Sequence, residues 1–136
     1  MNISARCEYA CRALVELALL PTGATITSGQ IADRRHIPEK YLVHIMLQLK
    51  RAGLVRSIRG AQGGFTLGRQ ATDITLLDIV QAIDGPILHP LPVNDEWAEQ
   101  LRPAWQEVAK SLSSLLRGIT LQDVAHKASL THMYYI

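Results

Sequence analysis

Apolar residues recur every three or four positions in several stretches of the chain, and this spacing predicts amphipathic helices. The first helix covers about 3–20, and two shorter ones cover about 28–35 and 38–52. A fourth helix is predicted over about 75–84. Later spacing predicts a short helix over about 95–101, a long one over 103–117 and a last one over 119–128. The chain is therefore expected to fold mainly as α-helices.

A glycine-rich stretch, SIRGAQGGFTLG at 57–68, interrupts the helices. Short apolar runs on both sides of it are typical of strands, so it predicts a small β-hairpin with Arg59 at the tip. Glycine adopts backbone angles closed to other residues and lets a backbone approach another surface, which applies to Gly60 beside the tip. Three short helices followed by a hairpin are the order of a winged helix-turn-helix, here with a long C-terminal helix.

Proline and glycine positions divide the chain into three predicted parts. Residues 1–86 are expected to form the winged-helix DNA-binding domain. Residues 87–102, which contain two prolines that forbid a continuous helix, are expected to form a variable effector loop. Residues 103–136 are expected to supply a dimerisation helix and a short C-terminal helix.

Composition and charge narrow the class of protein. Hydrophobic residues make up 48% of the chain and charged residues 19%, which argues against disorder. No apolar run reaches the roughly 18 residues of a membrane span, and the first residues lack a signal-peptide layout, so we expect a cytoplasmic protein with no membrane partner. Residues 1–69 hold ten basic and four acidic residues, whereas 70–136 hold four basic and eight acidic ones. A basic half predicts a face for a polyanion, although a chance distribution of solvated charges is the alternative.

The predicted helix-turn-helix places specific side chains against double-stranded DNA. The early turns of the third helix meet base edges in the major groove. The candidates for base contacts are Lys40, Tyr41, Val43 and His44.

Other residues are suited to the sugar–phosphate backbone and the minor groove. Ser28 and Gln30, at the start of the second helix, can bind a phosphate together with backbone N–H groups. Arg59 with Gly60 suits a narrow, electronegative minor groove.

The long helix predicts a homodimer. Its apolar stripe includes Trp105, Val108, Leu112 and Leu115. This is more apolar surface than a single helix on the outside of so small a domain needs to pack against its own core. DNA-binding proteins of this kind bind near-palindromic sites as dimers. The alternative is that the helix packs only on its own domain.

An enzyme is not expected. The glycines of 60–64 are not followed by the Gly-Lys-Ser/Thr of a phosphate-binding loop. Acidic residues near 95–99 are typical of a helix start. A protein-interaction module that uses the same fold is the alternative of another class, and its binding would not weaken steeply with salt as DNA binding does.

Four segments resemble a known family, the Rrf-type winged-helix transcription regulators. They are NISARCEYACRALVELAL, SGQIADRRHIPEKYLVHIMLQLKRAGLVRSIRGAQGGFTLGR, ITLLDIVQAIDGP and ITLQDVA, and they cover roughly 1–86 and 103–125. The resemblance implies a homodimeric bacterial regulator, usually a repressor. It implies DNA contacts from Ser28, Lys40, Tyr41, His44 and Arg59. The apolar residue at position 43 departs from members that carry a polar one there.

The sensor of the family is where this chain departs most. Many members bind an iron–sulfur cluster through three cysteines in the loop that follows the DGP stretch, but 87–102 contains no cysteine. Since thiolates are the usual cluster ligands, we expect no cofactor. Three interpretations of the signal stay open. In the first, the protein responds to a small-molecule or protein effector, or to no signal at all. In the second, the thiols of Cys7 and Cys11 sense the signal. In the third, Cys7, Glu8 and Cys11 form a metal or cluster site together with His89 of the partner subunit.

The two cysteines allow both a structural and a sensing role. At a spacing of four on one helix they are a poor disulfide pair, since their Cβ atoms would lie about 5–6 Å apart. They share the apolar face of the first helix, which favours simple packing. Arg6 and Arg12 are close in sequence and would lower a thiol pKa, which favours a reactive thiol.

Overall fold

The computed structural model describes residues 2–88 and 93–135. Within these residues the chain forms six α-helices, a short 3-10 turn at Ala71–Asp73 and one two-stranded sheet. The helices are α1 (Ala5–Ala18), α2 (Ser28–Arg35), α3 (Glu39–Arg51), α4 (Leu76–Asp84), α5 (Glu96–Arg117) and α6 (Leu121–Tyr135), and the strands are β1 (Val55–Ile58) and β2 (Gly64–Leu67). The predicted fold class, mainly α with a small β-hairpin, is confirmed. None of the described helices is both long and apolar enough to cross a membrane.

Helices α2 and α3 form the predicted helix-turn-helix. The turn between them is set by His36, which ends α2 in the left-handed conformation with φ 53°. Proline at position 38 then precedes α3. Helix α3 buries one apolar stripe against the core, consisting of Leu42, Ile45, Met46 and Leu49. The opposite face of α3 is therefore turned outward.

The hairpin is attached to the body of the domain by a third short segment. Strands β1 and β2 pair antiparallel, with Val55 opposite Leu67 and Ile58 opposite Gly64. Ile26, just before α2, pairs with Phe65 through two backbone hydrogen bonds of 3.1 and 2.7 Å. This pairing fixes the direction in which the hairpin, or wing, leaves the helices.

The long helix begins earlier than the sequence predicts. Helix α5 starts at Glu96, where the Asp95 carboxylate accepts a hydrogen bond from the Ala98 N–H at 2.9 Å. Pro103, predicted to start the helix, lies inside it and removes one backbone hydrogen bond in an exposed turn. The predicted short helix over 95–101 and long helix over 103–117 are therefore one helix, because the apolar stripe continues on both sides of the proline. The boundary between the predicted effector loop and the long helix moves from 103 to 96.

The C-terminal helix is longer than predicted and joins the main core. Helix α6 runs to Tyr135 rather than ending near 128. Thr120 caps it, accepting from the Asp123 N–H at 3.1 Å, while Asp123 accepts from the Thr120 N–H at 3.0 Å. Leu121 and Ala125 are buried in the same core as α1. The C-terminal helix is thus part of the core built by residues 5–87.

Candidate nucleic-acid interface

The outward face of α3 carries the four predicted base-contacting residues. Lys40, Tyr41, Val43 and His44 are all exposed, with Tyr41 43% and Val43 55% exposed. The Lys40 Nζ atom lies 5.1 Å from the centre of the Tyr41 ring. This face offers an ammonium, a phenol, an imidazole and an apolar patch within two turns of one helix. Those are the groups that hydrogen-bond base edges or phosphates and contact a thymine methyl group.

The start of α2 is held by a capping box that uses part of Gln30. The Thr27 hydroxyl accepts from the Gln30 N–H at 3.2 Å, and the Gln30 Oε1 accepts from the Thr27 N–H at 3.0 Å. The side-chain NH₂ of Gln30 remains a donor, as do the N–H groups of Ser28 and Gly29, which the cap does not use. A phosphate at this helix end would therefore meet Ser28, Gly29 and the Gln30 amide, rather than the Gln30 backbone.

The tip of the wing presents Arg59 to solvent. Arg59 follows β1 and is exposed, and Gly60 beside it has φ +119°, which favours glycine. The Gly63 N–H donates to the Gly60 carbonyl at 2.9 Å and closes the turn. The Thr25 hydroxyl donates to the Gln62 carbonyl at 2.8 Å and ties the tip back to the loop before α2. The guanidinium is thus carried on a turn anchored at two points.

An ion-pair cluster fixes α2 to α1 behind this surface. Glu16 accepts from Arg34 Nη1 at 3.0 Å and from Arg35 Nε at 2.7 Å. Burial acts to raise the pKa of Glu16, but the hydrogen bonds from the two arginines outweigh it and hold the pKa below its ordinary value. Two of the basic residues counted in the N-terminal half are therefore structural rather than directed at a polyanion.

Tyr9 and Arg12 of α1 lie behind the start of α3 and were not singled out as binding residues in the sequence. The Tyr9 and Tyr41 rings stack with centres 6.2 Å apart, and the Arg12 guanidinium lies 5.4 Å from the centre of the Tyr9 ring. The spacing of Tyr9 and Arg12 on one helix face was visible in the sequence. Their position against Tyr41 depends on how α1 and α3 pack, which the pattern does not contain.

Helix α5 leaves its apolar stripe uncovered. None of its 22 residues, all of which the structure describes, is fully buried. Trp105, Val108 and Leu115 are 60%, 44% and 69% exposed. Leu112 differs, because it packs partly against the chain's own core.

The proposed sensing residues do not form a metal site in the described chain. Cys7 is buried, whereas Glu8 is exposed and pairs with Arg12. No group of three His, Cys, Asp or Glu side chains with metal-ligand geometry occurs among the described residues. His89 lies outside the described residues.

Both cysteines are free thiols. The neighbouring Cys11 thiol lowers the pKa of Cys7, against the opposing effect of burial. The neighbouring Cys7 thiol, together with burial, raises the pKa of Cys11. The predicted influence of Arg6 and Arg12 is not what perturbs these thiols, because the charges that act on both are the carboxylates of Glu8 and Asp84, which raise the thiol pKa.

Comparisons with known proteins agree with the geometry. The model of the Rrf2 family, described as an iron-dependent transcriptional regulator, matches residues 3–127. A helix-turn-helix transcriptional regulator of Mycobacterium tuberculosis is 36% identical over 140 residues, covering 98% of this chain and 86% of the relative.

Two solved structures share the fold and part of the sequence. CymR, the global cysteine regulator of B. subtilis, is 32% identical with a TM-score of 0.80, covering 93% of this chain and 98% of the other. IscR of T. potens is 31% identical with a TM-score of 0.75, covering 99% of this chain and 97% of the other.

Proposed function

The chain belongs to the Rrf2 family and is a DNA-binding transcriptional regulator, and we propose that it represses transcription as a homodimer bound to a near-palindromic operator. The observation that carries this proposal is the outward face of α3, on which Lys40, Tyr41, Val43 and His44 are exposed. As a regulator of transcription it acts on DNA rather than as an enzyme, and it works where the bacterial genome is, in the cytoplasm.

Each part of the surface has a separate role in this proposal. Helix α3 enters the major groove, where Lys40 and His44 hydrogen-bond base edges and Val43 contacts a thymine methyl group. Ser28 and the Gln30 amide bind a phosphate at the start of α2. The Arg59 side chain, with Gly60 allowing close backbone approach, enters the minor groove of the flanking sequence.

The exposed stripe of α5 is the proposed dimer interface. Trp105, Val108 and Leu115 recur at helical spacing and remain uncovered in the single chain. A second copy of the helix, related by a two-fold axis, would cover them, and it would place two α3 helices for two half-sites of the operator. Leu112 contributes to this interface only in part, since its own core already covers some of it.

The test is a salt series on selected DNA. Fragments that the protein retains from a random DNA library are sequenced. A labelled duplex with the enriched motif is then titrated by fluorescence anisotropy at salt concentrations between about 50 and 200 mM. Over this range, a protein that contacts six to ten phosphates loses about 10³–10⁵ in affinity. We expect an enriched motif with two-fold symmetry and a steep salt dependence. A flat salt dependence and no enriched motif would favour the protein-interaction module instead.

The chain's residues do not fit the family's usual iron–sulfur cluster, and we propose a regulator without a cofactor. Residues 87–102 supply no cysteine, and the described residues supply no cluster of three ligands. The signal would then be a small-molecule or protein effector acting near the start of α5. Native mass spectrometry of anaerobically purified protein tests this, because added iron, sulfide or another metal on the dimer would contradict it.

The Cys7–Cys11 pair supports a second candidate, a thiol-based sensor. The neighbouring Cys11 thiol lowers the pKa of Cys7 and so favours its reactive thiolate. Against this, Cys7 is only 1% exposed. A Cys7→Ser, Cys11→Ser double variant that loses an oxidant response of the wild type would favour the sensor.

A further inference from the structure

Four side chains form a continuous series that joins the middle of α1 to the first turn of α3. The Tyr9 and Tyr41 rings lie 23° from parallel, with their centres 6.2 Å apart. A cation lies near each ring of this pair: the Arg12 guanidinium carbon 5.4 Å from the Tyr9 centre, and Lys40 Nζ 5.1 Å from the Tyr41 centre. Both the stacked rings and the cation–ring pairs are attractive contacts.

Arg12 also connects this series to the end of α2. Its Nη1 atom donates to the backbone carbonyl of Arg35, the last residue of α2, at 3.5 Å, and its Nε donates to Glu8 at 3.3 Å. A single side chain of α1 therefore contacts the end of one helix of the helix-turn-helix and, through Tyr9, the start of the other.

We propose that Tyr9 and Arg12 are positioning residues for DNA recognition, which hold Tyr41 and Lys40 in the conformation that meets the operator. This inference rests on the proposed function of α3. Lys and Arg side chains lose much rotamer freedom when a complex forms, and ordering them beforehand reduces that entropic cost. Lys40 on an ordered Tyr41 ring starts from a restricted set of positions at the major groove, although neither Tyr9 nor Arg12 needs to contact a base.

A direct role for Tyr9 makes a different prediction. If the Tyr9 hydroxyl bound a phosphate, its removal would weaken binding to operator and unrelated DNA alike, and Tyr9→Phe would lose as much affinity as Tyr9→Leu. A positioning role depends on the ring of Tyr9 and not on its hydroxyl. Loss of the ring should lower the ratio of operator affinity to affinity for unrelated DNA, because only operator recognition uses the positioned side chains of α3.

The first experiment measures that ratio for Tyr9→Leu and Tyr9→Phe. We expect Tyr9→Leu to lower the ratio about threefold to tenfold, the size of a lost aromatic pair, with the salt dependence unchanged. Tyr9→Phe keeps the ring and should restore the wild-type ratio. Tyr9→Phe is therefore the matched control, since it differs from the wild type only in the hydroxyl. Loss of operator binding in Tyr9→Phe equal to that in Tyr9→Leu would overturn the proposal.

A second experiment needs no DNA and separates this inference from the proposed function. Hydrogen exchange of the backbone amides of Tyr41 and Val43 is measured in the free protein. In Tyr9→Leu these amides should exchange faster than in wild type and Tyr9→Phe, while amides of α6 stay unchanged. Unchanged exchange in the first turn of α3 would overturn the positioning role even if operator binding is specific. Faster exchange without any operator preference in the wild type would instead contradict the proposed function alone.

Discussion

The Ser4 hydroxyl donates a hydrogen bond of 2.6 Å to Asp84, the last residue of α4, across 80 positions of the chain. Ser4 is also the N-cap of α1, because its side-chain oxygen accepts from the Cys7 N–H at 3.0 Å. One hydroxyl therefore caps α1 and holds the end of α4, from which the chain leaves toward α5.

Replacing Ser4 by alanine should destabilise the fold. The substitution removes an N-cap and leaves the Asp84 carboxylate without its hydroxyl donor, so we expect a loss of about 1–2 kcal/mol in the free energy of unfolding. Urea unfolding measures it, and Ser4→Thr, which keeps the hydroxyl, is the control. Equal midpoints for the alanine variant and wild type would contradict the role of this contact.

The Glu16 cluster should make stability depend on pH in the acid range. The pKa of Glu16 is lower in the folded than in the unfolded protein, so its contribution is fully present above the unfolded pKa, near the ordinary 4.5. It is lost as the pH falls through the lower folded value. Glu16→Gln should cost about 1–2 kcal/mol at pH 7 and progressively less below pH 4.5, a discounted value because Arg34 is half exposed. Urea unfolding of both proteins from pH 7 to 3 measures this, and parallel curves would contradict it.

The attachment of the wing should fail when Gly64 becomes alanine. A Cβ atom at Gly64 would lie 2.6 Å from the Ile26 carbonyl oxygen, so Ile26 and β2 would have to move apart. We expect a loss of about 2–4 kcal/mol, together with weaker operator binding. Thermal unfolding measures the loss of stability, and anisotropy titration measures operator binding. Exchange of the Phe65 amide, which donates to Ile26, measures the detachment of the wing.

Gly118→Ala is the matched control for this variant. A Cβ there meets its nearest neighbour at 3.5 Å, an ordinary contact, and Gly118 has a right-handed helical conformation. Its stability and Phe65 exchange should stay close to wild type. A Gly64→Ala protein as stable as Gly118→Ala would show that the wing does not depend on this close approach.

Much of the fold could be predicted from periodicity and caps. The buried stripe of α3 follows the 3.6-residue pattern, and α2 and α4 begin within one residue of their predicted starts, with Thr27 and Thr75 as N-caps. The family resemblance is confirmed as well. The predicted start of α5 at 103 is wrong, because Pro103 lies inside the helix rather than in its first turn. The predicted end of α6 near 128 is also wrong, because Leu130, Met133 and Tyr134 continue the spacing of three and four residues almost to the observed end at Tyr135.

The candidate site was predictable only in part. Exposure of Lys40 and Val43 follows from the buried stripe on the other side of α3, so their position could be derived. The stack of Tyr9 on Tyr41 could not, since it depends on how α1 packs against α3. The roles of these residues on DNA stay predictions.

The wing tip should contribute a phosphate or minor-groove contact through Arg59. We expect Arg59→Ala to weaken operator binding, most strongly where the flanking steps are A·T-rich, and to reduce the salt slope by about 1. Lys127→Ala removes one positive charge from α6, outside both the proposed DNA contacts and the α5 stripe, and should leave binding unchanged. Anisotropy titrations at several salt concentrations measure both. If the two variants weakened operator binding equally, Arg59 would act only through the net charge of the protein and not through a contact at the wing tip.

The proposed dimer should depend on the exposed stripe of α5. Trp105→Ala removes a ring that is 60% exposed in the single chain, and a second copy would cover that ring. Truncation of a buried tryptophan at an interface costs about 2 kcal/mol or more, so the dimer dissociation constant should rise at least about thirtyfold. Sedimentation equilibrium measures this dissociation constant, and Gln106→Ala, which alters the neighbouring exposed residue outside the stripe, is the control.

The operator affinity of Trp105→Ala should fall with the dimer population, whereas binding to an isolated half-site should stay the same. A full-strength dimer in Trp105→Ala would place the interface elsewhere on the chain.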